Sequence, residues 1–142
     1  MEASEVRDAL ALAWPELAGP LDESDKDAIA DGLTYLQMAA IARYLGARMG
    51  ARETECMQPT FDAVERCLQE GSPEAVELVM VGLVEHLQNA NVTRVCDDSR
   101  WVPYLRPVSL GAWKAVSDFW KGDPDAIKRF SRSLKSDPPA RP

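Results

Sequence analysis

Apolar residues along this chain recur at three- and four-residue spacing, and the clean alternation of a half-buried strand is found nowhere between turn residues. The first such segment covers residues 4–14, where Val6, Ala9, Leu10 and Ala13 share one face and Ser4 can cap the start. Trp14-Pro15 ends it, because a residue before proline is pushed out of the helical region. Gly19-Pro20 then reads as a turn. A second stripe, made of Ile29, Leu33, Leu36, Ala40, Ile41, Tyr44, Leu45 and Met49, predicts one long helix from about Glu23 to about Met49. Residues 51–58 read as a loop.

The middle of the chain reads as a helical hairpin. Residues 59–70 open on Pro59 and put Phe61, Val64, Cys67 and Leu68 on one side. Gly71-Ser72-Pro73 is the junction: Gly71 suits the left-handed residue after a helix, Ser72 a cap, and Pro73 the first helical position. The helix that follows, about residues 73–89, is apolar almost all round, with Val76, Leu78, Val79, Met80, Val81, Leu83, Val84 and Leu87. Such a helix belongs in the middle of a bundle. Gly82 inside it gives up about 1 kcal/mol of helix propensity against alanine, which a close approach by a neighbouring helix would offset.

Residues 91–107 are irregular and punctuated by Pro103 and Pro107. Ser109 can cap a helix to about Lys121 with Leu110, Trp113, Val116 and Trp120 on its apolar face. Gly122-Asp123-Pro124 repeats the earlier junction, and a last helix over about 124–135 would bury Ile127, Phe130 and Leu134. The expected architecture is therefore all-α: a single domain over residues 1–136, a bundle of about five or six helices. The two junctions lie 51 residues apart, which leaves stacked helical hairpins open, although only the turns match. Residues 137–142 hold three prolines and are expected to be a disordered tail.

Charge adds a feature that the helix pattern does not contain. The chain has 142 residues and a net charge of −7. Residues 1–98 carry 19 acidic and 7 basic groups, whereas residues 99–142 carry 4 acidic and 9 basic groups. The surplus of acid argues against nucleic acid and anionic membranes as partners and favours a basic protein. No run of apolar residues approaches the length that crosses a bilayer. The acidic start, Met1-Glu2-Ala3-Ser4-Glu5, is unlike a secretory signal. Cys56, Cys67 and Cys96 are odd in number and spaced by 11 and 29 residues, which matches no zinc or redox signature; reduced thiols in a cytoplasm follow.

Candidate chemistry is sparse. His86 is the one histidine, and the positions three and four residues on are Asn89 and Ala90, so no metal pair forms on its helix. A hydrolase would need His86, Glu85 and a cysteine brought together in a deep pocket. No phosphate-binding glycine loop occurs. The sequence thus assigns no catalytic residue, no metal ligand and no cofactor. Two features suit a partner surface instead. The run Asp22, Glu23, Asp25, Asp27 and Asp31 would steer a basic protein, or would simply be the charged start of a solvated helix. Trp101 and Tyr104 lie in the irregular segment, where exposure would make them anchors.

The stretch from Phe61 to Asn89, with Glu85, Leu87 and Asn89, resembles a group of small bacterial helical proteins of unknown function, as does Leu105 to Trp120 with Trp113. The resemblance covers roughly residues 30–121. Members of that group look like immunity proteins encoded beside polymorphic or secreted toxins. It implies a cytoplasmic protein that occludes a cognate toxin with a basic surface, and it carries over no catalytic or contact residue. The alternative is a non-catalytic helical adaptor or regulatory subunit, in which a homodimer is allowed.

Overall fold

A computed structural model describes residues 1–17, 19, 33–89 and 97–135, and among them every regular element is helical. Helix α1 is Ala3–Ala13, followed by a single 3-10 turn at Pro15–Leu17. Helix α2 is Leu33–Gly50, and α3 is Met57–Glu70. Helix α4 covers residues 73–87 in three joined pieces: α-helical Pro73–Glu77, π-helical Leu78–Val84 and α-helical Glu85–Leu87. Two 3-10 turns, Asp98–Arg100 and Val102–Tyr104, lead to α5, Pro107–Trp120, and the last helix, α6, is Ala126–Lys135. The all-α single-domain bundle expected from the periodicity is what forms. The expected start of α2 and the tail over residues 137–142 lie outside the described residues.

Helix α4 occupies the centre, packing on α2, α5, α1 and α3. Val79, Met80, Leu83 and Leu87 are fully enclosed with Met38, Ile41 and Leu45 of α2, Phe61 and Val64 of α3, and Val116 of α5. Each such side chain contributes about 1.5–3 kcal/mol on burial, so this cluster holds the bundle together. Gly82 has the role its position suggested: a Cβ there would stand 3.0 Å from Cβ and Cγ of Met38. The two backbones come together because the side chain is missing.

The helix boundaries follow local chemistry with some changes of residue. At α1, Glu5 rather than Ser4 satisfies the open start, its carboxylate accepting from the Glu2 amide at 2.7 Å. Ser72 caps α4 as expected, accepting from the Ala75 amide at 3.2 Å, with Pro73 in the first position. Gly71 is not left-handed; its φ is −75° and ψ 151°, and it is Gly122 that takes the positive φ, at 112°.

Several side chains depart from the expected faces, among them Ile127, Phe130 and Leu134 of α6, which are half-buried where full burial was expected. Leu36 is 55% exposed, while Gln37 and Met38 are buried. Leu36 is two residues from Met38, about 200° around the helix, so it cannot share a face with Met38, Ile41 and Leu45. Trp120 is 51% exposed although Trp113 and Val116 are buried, because it lies in the last turn of α5, beyond the core. Helix α4 itself is not enclosed all round: Val81 and Glu85 are half-buried and Glu77 is exposed.

Candidate binding cleft

The uncovered strip of α4 faces a cleft of about 710 Å³. Glu77, Val81 and Glu85, four residues apart along α4, form one wall. In the π-helical stretch between them the Glu85 amide donates to the Met80 carbonyl, five residues back. Helix α6 forms the opposite wall with Ile127, Lys128, Ser131, Arg132 and Leu134. Leu68, Val76, Phe119 and Pro124 add further apolar surface to its lining.

The walls are of opposite sign. Residues 73–87 carry Glu74, Glu77 and Glu85 and no lysine or arginine; residues 126–135 carry Lys128, Arg129, Arg132 and Lys135 and no carboxylate. Asp123 takes Arg129 away from the cleft, in an ion pair of 2.5 Å. Glu77, Glu85 and Lys128 form no ion pair among the described residues, so their charges stay available at the rim. Burial pushes the Glu85 carboxyl above its ordinary value, with the neighbouring His86 pulling weakly the other way. Burial also raises the Tyr35 hydroxyl, and the charge of Glu77 adds to the shift, which places Tyr35 beside the acidic wall. A cleft of this size, mostly apolar with a few polar groups at its rim, has the usual make-up of a binding site.

The residues singled out for chemistry do not converge there. His86 Nδ1 is 2.7 Å from the Gly82 carbonyl, a contact that requires Nδ1 to carry the proton and donate. Among the described residues, neither His86 nor Cys56 nor Cys67 lines the cleft. Cys67 is buried and its thiol is pushed up to about 11 by that burial, so it is almost wholly protonated near neutrality. Among the described residues, no group of three or more histidine, cysteine, aspartate or glutamate side chains could hold a metal ion, and no helix is long and apolar enough to cross a membrane.

The expected partner-surface residues fare unevenly. Asp22, Glu23, Asp25, Asp27 and Asp31 lie outside the described residues. The exposure expected for Trp101 is overturned: it is fully buried, with its ring 5.7 Å from Phe61. The 3-10 turns on either side fold it inward, where its apolar area gains more than the loop position suggested. Tyr104 is half-buried and stacks on Phe61 at 6.4 Å, while its carbonyl accepts from Gln58 Nε2 at 3.0 Å. Both aromatics therefore belong to the packing between α3 and the 97–105 segment.

The cleft residues Glu77, Val81, Lys128 and Arg132 were not singled out from the sequence. A signal was present: Glu77 and Glu85 are the polar interruptions of an otherwise apolar helix and share the side of Val81. The charge asymmetry between the two parts of the chain was also visible, but not that the fold would set its two signs face to face.

The chain matches, over residues 7–121, a protein family described as a domain of unknown function (DUF7674). No curated protein and no solved structure matches it.

Proposed function

We propose that this chain, which belongs to the DUF7674 family, works by binding another protein, as an immunity protein that neutralises a cognate bacterial toxin by covering its active site. The cleft between α4 and α6 carries the binding part of this reading, being open, mostly apolar and charged at its rim. Polar groups elsewhere support it by being used in structure: Glu65 caps α5, Asp62 pairs with Arg106 at 2.9 Å, and His86 bonds its own helix. The toxin part is supported by the net charge of −7, which favours a basic partner, and by the resemblance described above. Such a protein would act in the cytoplasm, where its thiols stay reduced.

Co-expression tests it. The neighbouring genes are searched for a toxic domain; one found there is expressed alone and with this chain, and surviving cells are counted. Rescue, together with a complex that survives size-exclusion chromatography, is the expected result. Equal killing with and without the chain would sink the toxin reading.

A second reading, a non-catalytic adaptor that forms a homodimer, is favoured by Leu12 at 80% exposure and Trp120 at 51%, since large exposed apolar side chains often mark contacts. Light scattering on the purified chain separates the two. A stable dimer that no toxin dissociates favours the adaptor.

A further inference from the structure

The strip of α4 that lines the cleft runs from Pro73 to Glu85, at most about 18 Å at the 1.5 Å per residue of an α-helix and less through the π-helical stretch. A helix can lie along this cleft for up to about three turns and insert one stripe of side chains between Val76, Val81, Ile127 and Leu134.

The opposed charges decide what kind of helix. A ligand of one sign, such as a fatty acid, is attracted by Lys128 and Arg132 but repelled by Glu77 and Glu85 across the gap. Helix α6 of a second copy, basic throughout, has the converse conflict. Only an occupant with both signs on separate edges meets both walls favourably. We propose that the cleft receives an amphipathic helix of a partner protein. That helix presents apolar residues at i, i+3 or i+4, and i+7 to the floor. Lysine or arginine runs along its edge facing Glu77 and Glu85, and aspartate or glutamate along its edge facing Lys128 and Arg132. The inserted stripe supplies affinity, and the edges select the partner and set its direction along the groove.

The inference rests on the binding reading above but not on the partner being a toxin, which co-expression tests separately. Three 18-residue peptides share one leucine stripe at that spacing. One carries lysine on one edge and glutamate on the other, the second lysine on both, the third glutamate on both. Their affinities for the full chain are measured by calorimetry.

The two-signed peptide is expected to bind at least tenfold more tightly than either control. Val81→Asp should weaken all three peptides at least tenfold. The double variant Glu77→Lys, Glu85→Lys makes both walls basic and should shift the preference to the glutamate peptide. Lys128→Glu with Arg132→Glu, both on exposed side chains, should shift it to the lysine peptide; circular dichroism checks that each variant is folded. Equal binding of the three peptides, or affinity indifferent to Val81→Asp, overturns the proposal. So does tighter binding of dodecanoate than of any peptide, or a dimer of the chain itself that Val81→Asp abolishes.

Discussion

Glu65, buried in α3, accepts from the backbone amide of Ser109 at 2.7 Å, joining two residues 44 positions apart. Its second oxygen accepts from the Val108 amide at 3.0 Å. The open amides at the start of α5 are thus met by a carboxylate from another helix, with the favourable charge for a helix N-terminus. Ser109 does not cap by accepting from its own helix; its hydroxyl accepts from the Arg106 amide at 2.8 Å. Replacing Glu65 by alanine leaves two amides without acceptors in a buried place, and about 2–3 kcal/mol of stability should be lost. Glu65→Gln keeps one acceptor oxygen and should lose less. Urea denaturation followed by circular dichroism measures both; equal, negligible losses would show that water serves these amides as well.

Gly82→Ala pits helix propensity against packing. Alanine gains about 1 kcal/mol in the helix. The new Cβ, 3.0 Å from Met38 Cβ and Cγ, forces the α2–α4 contact apart at about 1–3 kcal/mol. A net destabilisation of about 1 kcal/mol is expected. The same change in a Met38→Ala background should cost less, because the obstructing Cγ is gone. A double-mutant cycle from thermal unfolding reads the coupling, and strict additivity would refute the close approach.

Trp101 should behave as a core residue. Trp101→Ala removes a fully buried ring and should cost about 3–5 kcal/mol. Its indole Nε1 has no hydrogen-bond partner among the described residues. Trp101→Phe gives up ring volume but also removes an unsatisfied donor, so its cost should be well below that of alanine. Tryptophan fluorescence offers a parallel check, since this ring lies out of water. A Trp101→Ala variant as stable as the parent would contradict the burial.

The stability–pH profile should contain a component from Glu85. Burial raises this carboxyl above its ordinary value of 4.5, so the folded chain holds the proton to higher pH than the unfolded chain. The contribution is fully present below the unfolded value and is lost as pH rises through the folded one. Asp62, held below its ordinary value chiefly by its hydrogen bond from Arg106, works with the opposite sign: its contribution is present above the unfolded value and lost as pH falls through the folded one. Comparing the parent with Glu85→Gln isolates the first component. The variant should lack the fall in stability just above pH 4.5 and should be no less stable at neutrality. A parent and variant with parallel profiles would remove burial as an influence on this group.

What the sequence determined by itself is local. Spacing of three and four residues marked the helices, Gly71-Ser72-Pro73 and Gly122-Asp123-Pro124 marked the junctions, and the apolar run from Leu78 to Val84 marked the central helix. These signals were legible because they depend on neighbours one or two turns away. Tertiary structure decided the rest. It turned Trp101 inward, gave Glu65 the start of α5 to cap, and left Glu77, Val81 and Glu85 uncovered opposite Lys128 and Arg132. Those pairings join segments 40 or more residues apart, and no periodicity along a chain encodes which faces will meet across space.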